Sequence, residues 1–211
     1  DASSSEASLN REWGLSGIKI NEKPVEDKDI DLYFDLQALI FATREYSHFN
    51  GFTKAVFGAS GGIDSALVGA IAALAFGNYN VTAISMPSPY SSPGSIKDAE
   101  DLAKAFNMNY EQICITPIYE AVKQQMLSVS KQKFSYPVTD ENIQARARGI
   151  ILATHSNDDP REIILSTGNK SELFTGFFTI AGDSVGGYAV ISDVPKTMVW
   201  QLARLINKYY D

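Results

Sequence analysis

The sequence predicts an α/β fold, a doubly wound parallel sheet with helices on both faces. Two observations predict it. Along most of the chain, short β-like runs alternate with helical stretches of roughly ten to twenty residues, the pattern of strands joined by crossover helices. In addition, Gly58-Ala59-Ser60-Gly61-Gly62-Ile63-Asp64-Ser65 stands directly after the apolar run Ala55-Val56-Phe57 and directly before Ala66-Leu67-Val68. A short apolar run, then small flexible residues, then a long apolar stretch is how a strand, a phosphate-cradling turn and a helix are written.

Residues 1–28 open with Asp1-Ala2-Ser3-Ser4-Ser5 and carry no sustained period, so they read as a linker or N-terminal extension, within which Trp13 and Leu15 could still dock locally. The folded domain is expected over 29–211. Ile30, Leu32, Phe34, Leu36, Leu39, Ile40 and Phe41 lie mostly at helical spacing behind an acidic first turn, which predicts a helix over 29–49. A strand over 54–57 and a helix over 63–76, stopped by Gly77, follow. Then come a strand over 81–85, a helix over 95–106, a strand over 110–115 and helices over 118–130 and 139–156. A strand over 162–166, a short helix over 170–175 and a last helix from 195 to 210 complete the series. The Ser/Pro-rich segment 86–95 reads either as a plain surface loop or as a mobile wall over a nucleotide. In such a sheet ligands bind beyond the carboxyl ends of the strands. The segments 58–65, 86–95 and 166–169 all fall at that edge.

At 211 residues the chain is long enough to bury a full core as one domain. Its net charge of −7, with no Lys/Arg-dense stretch to offset it, argues against a nucleic-acid polymer as partner. Cys114 is the one cysteine, which excludes a disulfide framework and a cysteine metal cluster. Within Ile113-Cys114-Ile115 it is expected to be an inert core residue. The longest apolar stretch, 67–76, is too short to cross a bilayer. With no signal peptide visible, the expected setting is cytoplasmic, with no membrane partner. His48 and His155 stand apart from each other and from any acidic cluster in the sequence, and ordinary surface or partly buried roles are expected for both.

The glycine-rich turn carries the chemistry. Gly61 and Gly62 let backbone N–H groups approach an anion. The helix that follows adds unpaired N–H groups and a positive dipole end. Ser60 and Ser65 supply hydroxyls. Asp64 supplies a carboxylate that an anion site alone would not want, and it makes sense if a divalent cation sits between it and the phosphates. The pattern is neither Walker A, since no Gly-Lys-Ser/Thr follows, nor the dinucleotide fingerprint Gly-x-Gly-x-x-Gly. A second strand–turn–helix, Leu165-Ser166-Thr167-Gly168-Asn169-Lys170-Ser171-Glu172, would let Glu172 share that cation with Asp64. Asn142 and Arg146, four residues apart, share a helix face. Such a face is ordinarily solvated, or else it forks around an anionic substrate. The run from Thr175 through Asp183, Gly186-Gly187 and Asp193-Val194-Pro195-Lys196-Thr197 reads as a site-forming loop with a buried acidic residue, from which Lys196 reaches a triphosphate.

Ser-Gly-Gly-Ile-Asp-Ser resembles the PP-loop of the ATP pyrophosphatases. Taken with Met86-Pro87-Ser88-Pro89-Tyr90-Ser91-Ser92, Asn142-Ile143-Gln144-Ala145-Arg146-Ala147-Arg148-Gly149, the Ser166–Glu172 block, Thr175-Gly176-Phe177-Phe178-Thr179 and Asp193-Val194-Pro195-Lys196-Thr197, it resembles NAD synthetase from about residue 30 to the end. The likeness is greatest to the synthetase domain of the glutamine-dependent type. Ile180 and Gly187 stand where the ammonia-dependent branch has a substrate-binding Lys and an Asp.

The resemblance implies an adenine nucleotide alpha hydrolase-like fold and a carbon–nitrogen ligase. ATP adenylates the nicotinate carboxylate of deamido-NAD, pyrophosphate leaves, and ammonia attacks the adenylate, giving NAD and AMP. It implies ATP as substrate and Mg²⁺ as cofactor. Gly58, Ala59, Ser60, Gly61, Gly62, Ile63, Asp64, Ser65, Thr167 and Lys196 would meet ATP; Asn142, Arg146 and Glu172 would meet deamido-NAD; Asp64 and Glu172 would be the catalytic and metal-binding pair. It implies a homodimer, and a synthetase domain over 29–211 that is incomplete at its C-terminus. The glutaminase domain that would deliver ammonia is absent from this chain. Two rivals stay open: another PP-loop enzyme, such as the synthetase part of GMP synthetase, and a non-catalytic nucleotide-binding module.

Overall fold

The computed structural model describes residues 24–129 and 136–210. The expectations for residues 1–23, Trp13 and Leu15 among them, lie outside the described residues. The chain forms α1 (Ile30–Phe49), β1 (Lys54–Gly58), α2 (Ile63–Phe76), β2 (Val81–Ser85), α3 (Pro93–Ala105), β3 (Asn109–Gln112) and α4 (Thr116–Val129). It continues with α5 (Pro137–Asp158), β4 (Glu162–Ser166), α6 (Lys170–Thr175), β5 (Tyr188–Ala189) and α7 (Lys196–Tyr209). The five strands make one sheet in the order β3-β2-β1-β4-β5, every pair parallel. The predicted α/β architecture is the one observed.

Side-chain alternation along the strands sorts the core into two faces. Ala55, Phe57, Val81, Ala83, Ile163 and Leu165 join the larger cluster, with residues of α1, α2, α3 and α7. Val56 and Ile84 join the smaller one, with Ala147, Ile151 and Leu152 of α5 and with Ile115. The central helix α2 is buried along nearly its whole length, which its Ala/Leu/Ile composition allows. It lies close on β1: a Cβ at Gly69 would stand 2.6 Å from Phe57 Cζ, so any larger residue would have to displace that buried ring.

Four local expectations are corrected. The helix α3 begins at Pro93, capped by Ser92 Oγ accepting from Ser95 N, so segment 86–95 is shorter as a loop than it reads. The helix α5 likewise begins at Pro137. Both prolines sit in a first helical turn, where the missing N–H costs nothing. Cys114 is exposed and not core. The strand β3 ends at Gln112, and along this sheet edge Ile113 and Ile115 turn inward while Cys114 points out, its Sγ donating to Thr116 Oγ1 at 3.1 Å. Finally, residues 188–189 add a fifth strand within the stretch read as loop. Of the expected linker, Glu26 is tied to α7: its N donates to Tyr209 Oη at 3.0 Å and its carboxylate accepts from Lys208 Nζ at 2.5 Å.

Candidate active site

Strand β1 lies between β2 and β4, so the chain runs outward to β3 on one side and then crosses to β4 on the other. The loops after β1 and β4 therefore part at the carboxyl edge and leave a crevice, the topological switch point of an open α/β sheet.

The 58–65 turn fills one wall of that crevice. Gly61 has φ of +77°, and a Cβ there would stand 2.3 Å from Ser95 O, so the backbone conformation and the contact with α3 both demand glycine. The turn is closed by its own hydroxyls: Ser65 Oγ donates to Gly62 O at 2.9 Å, Ser60 Oγ accepts from Gly62 N at 3.2 Å, and the two hydroxyls lie 3.1 Å apart. Gly62 is the N-cap of α2 and brings no side-chain cap, so the first N–H groups of α2 keep their capacity for an anion.

The turn after β4 forms the other wall. Asn169 is 0% exposed and caps α6 in a reciprocal box, its Oδ1 accepting from Glu172 N at 3.1 Å while Glu172 Oε2 accepts from Asn169 N at 3.2 Å. Its Nδ2 crosses the crevice and donates to Asp64 Oδ1 at 3.0 Å. Lys196, in the first turn of α7, donates from Nζ to Asp64 Oδ2. Its backbone N donates to Ser171 Oγ at 3.1 Å, which seats α7 against α6. Asn169, which sequence reasoning missed, thus joins Asp64 to Glu172, and Lys196 joins the cluster through Asp64; the latter three were singled out in the sequence. The signal was there: Asn followed three residues later by Glu is a capping box.

Beside this cluster lies a cavity of about 390 Å³, lined by Gly58, Ala59 and Ser60, by Ser85 at the end of β2 and Met86 and Pro87 after it, by Thr167 after β4, and by Glu141, Arg148 and Asp183. Thr167 and the start of the glycine-rich turn are where the sequence placed them. Asn142 and Arg146 do not line the cavity. Asn142 Oδ1 accepts from Thr179 Oγ1 at 2.7 Å, and Arg146 Nε donates to Ile180 O at 3.3 Å, so both hold the 179–183 loop. That loop packs closely on α5, since a Cβ at Gly149 would stand 2.4 Å from Ala181 O. The arginine that enters the cavity is Arg148, on the opposite side of α5 and missed in the sequence. Its Nε donates to Met86 O at 3.1 Å; burial lowers its pKa, and the nearby Asp183 charge works against that. Asp183 and Asp193 are exposed, contrary to the expected buried acid of this loop, although Asp183 Oδ1 accepts from Thr179 N at 2.8 Å.

Away from the crevice, His155 departs from its expected isolation. Its Nδ1 lies 2.7 Å from Glu162 Oε2 and its Nε2 lies 3.6 Å from Glu111 Oε1. The three residues meet over the sheet, from α5, β4 and β3.

Comparison with known proteins points to one family. Residues 36–208 match the family described as NAD synthase. A glutamine-dependent NAD(+) synthetase of Synechocystis sp. is 45% identical over 92% of this chain and 34% of its own length. The structure of a glutamine-dependent NAD+ synthetase from Acinetobacter baumannii in complex with ADP superposes with a TM-score of 0.81 at 39% identity, over 90% of this chain and 35% of that one. An NH3-dependent NAD synthetase from Campylobacter jejuni superposes with a TM-score of 0.73 at 28% identity, over 83% of this chain and 73% of that one. The chain spans about a third of the length of its glutamine-dependent relatives. Its fold, its glycine-rich turn and the match over 36–208 agree: the chain belongs to the NAD synthase family.

Proposed function

We propose that this chain catalyses ATP-dependent amidation of deamido-NAD to NAD, releasing AMP and pyrophosphate. The observation that carries the reading is the cluster at the switch point. Asp64 from the phosphate-type turn, the Asn169–Glu172 box and Lys196 are joined by direct hydrogen bonds beside a cavity large enough for a nucleotide moiety. The ADP held by the Acinetobacter baumannii relative supports ATP as the nucleotide.

In this reading, backbone N–H groups of 58–65 and the start of α2 bind the phosphates, with Thr167 and Lys196 contributing further contacts. An oxygen of the nicotinate carboxylate attacks the α-phosphorus and pyrophosphate leaves. The nitrogen of ammonia then attacks the carbonyl carbon of the mixed anhydride, AMP leaves, and one proton is released. Positioning and electrostatics supply most of the acceleration in such phosphoryl-type chemistry. Asn142 and Arg146 act at the substrate side by fixing the 179–183 loop, and the exposed Arg146 guanidinium retains donors for an anionic substrate.

Mg²⁺ belongs to the same proposal. Asp64 and Glu172 are hard oxygen donors, and the cation already paired with Asp64 is the Lys196 ammonium. Among the described residues no group of three or more metal-type ligands occurs. Mg²⁺ needs only one or two carboxylates, since phosphate oxygens and water complete its shell. When bound it would neutralise charge on the departing pyrophosphate.

We infer further that the chain self-associates as a dimer; Val122, Met126 and Val129 present an exposed apolar stripe along α4 that supports this. Free ammonia is the proposed nitrogen donor for this chain alone. The test is to incubate the chain with ATP, ammonium and either deamido-NAD or xanthosine monophosphate, with and without Mg²⁺. NAD and AMP are expected only with deamido-NAD and Mg²⁺. AMP formation driven by xanthosine monophosphate alone would overturn the reading in favour of a GMP synthetase-like activity.

A further inference from the structure

Both oxygens of the Asp64 carboxylate are engaged, by partners of different kinds. Oδ1 accepts from Asn169 Nδ2 at 3.0 Å, and Asn169 is 0% exposed with its own Oδ1 bonded to Glu172 N. Oδ2 accepts from the Lys196 ammonium, whose side chain is 41% exposed. Asn169 cannot turn away without uncapping α6 and stranding a buried amide. Lys196 can leave, because a flexible stem carries its charge and water reaches the head group. The two bonds therefore differ in permanence.

We propose that Asn169 is a positioning residue that locks one oxygen of Asp64 and aims the other outward, and that Lys196 holds the outward oxygen only until a divalent cation takes its place. The exchange would break no covalent bond: a divalent cation would take the place of the ammonium at Asp64 Oδ2, and Lys196 would then be free to meet a phosphate. With Oδ1 held by Asn169, Asp64 would offer mainly Oδ2 to a cation, and Glu172, held by the same asparagine, would be the second carboxylate of the site. With no cation bound, Lys196 neutralises Asp64 and weakens binding of bare metal, so cation and nucleotide bind together more readily than the cation alone. The proposal rests on the divalent-cation reading given above.

Mn²⁺ alone, without nucleotide, is the probe, with free ion read by electron paramagnetic resonance on the 211-residue chain. Lys196→Met is expected to tighten Mn²⁺ binding about tenfold, since the competing ammonium is gone. Asn169→Ser keeps an N-cap oxygen for α6 but removes the amide donor to Asp64. It is expected to weaken Mn²⁺ binding about fivefold, an effect that a purely capping role would not produce. Asp64→Asn is expected to abolish binding in every background. Thermal melts establish that each variant folds, and Lys196→Met, which touches neither cap nor core, carries the test if Asn169→Ser does not fold. Equal Mn²⁺ affinity in the parent and in Lys196→Met, with Asp64→Asn still abolishing it, overturns the exchange and leaves the metal reading standing. Mn²⁺ binding that ignores Asp64→Asn overturns both.

Discussion

Asp64 lies in the first turn of α2, partly exposed and outside both apolar clusters, so its side chain serves chemistry more than packing. Asp64→Ala is expected to lower ammonium-driven turnover by roughly 10²-fold or more, in line with loss of a key electrostatic group, while the far-ultraviolet circular dichroism stays that of the parent. The loss of its hydrogen bond to Asn169 should cost stability only about 1 kcal/mol. Turnover within a factor of two of the parent would remove Asp64 from the proposed mechanism. Gly61 is constrained twice, by φ of +77° and by Ser95 O lying 2.3 Å from any Cβ. Gly61→Ala should therefore destabilise the chain by about 1–2 kcal/mol from backbone conformation alone, and should weaken ADP binding in a calorimetric titration because the turn must move off α3. Unchanged ADP affinity would show that the turn does not hold phosphate. The need for flexible residues at 61 and 62 was legible in the sequence. The Ser95 contact and the Asn169–Asp64 bond, the latter between residues 105 apart in the chain, were not, because no local pattern encodes which turns meet across a crevice.

At the scale of elements, strands and helices with strong periodicity were legible almost to the residue, α2, β2, β4 and α6 among them. The misreadings came where one residue type has two uses. Pro93 and Pro137 read as loop residues but open helices, and the apolar Ile113-Cys114-Ile115 reads as core though its alternation turns Cys114 to solvent. The His155–Glu162–Glu111 contact was invisible because it joins three elements. Burial pushes the His155 imidazole down, but its hydrogen bond to Glu162 and the charges of Glu162 and Glu111 outweigh that, so its pKa is raised above 6.5. A group with a raised folded pKa contributes stability that is complete below its unfolded value and is lost as pH rises through the folded one. Removing the imidazole by His155→Gln should therefore destabilise the chain most at about pH 5.5–6 and progressively less toward pH 8.5. With His155 partly exposed, the acidic-side difference is expected at about 0.5–1 kcal/mol, screened by salt. Urea melts of parent and variant across this range check it. A gap that widens with pH would contradict the assigned partners.

For the whole molecule, the doubly wound topology explains why the site is where it is: the reversal of strand order at β1 forces two loops apart at one edge, and both glycine-bearing turns lie there. That logic was legible once the alternation of elements was read. The short β5 was not, because its two residues carry no period of their own and pair only with the end of β4. The outer surface makes a further demand. Val122, Met126 and Val129 of α4 lie at spacings of four and three residues, hence on one helix face, and are 38%, 48% and 79% exposed. Tyr136 and Val138, at 74% and 55%, stand at the start of α5, the helix on which α4 packs. Exposed apolar side chains of this kind fit a partner face, and under the dimer proposed above a second copy would supply an identical one by two-fold symmetry. Sedimentation equilibrium of the chain should show a monomer–dimer equilibrium. Met126→Glu places a charge in the middle of the stripe and should shift that equilibrium to monomer by about tenfold or more in dissociation constant. ADP affinity should be unchanged, because Met126 lies outside the crevice. A variant that dimerises like the parent would move the interface off α4; a parent that stays monomeric at every concentration would overturn the dimer.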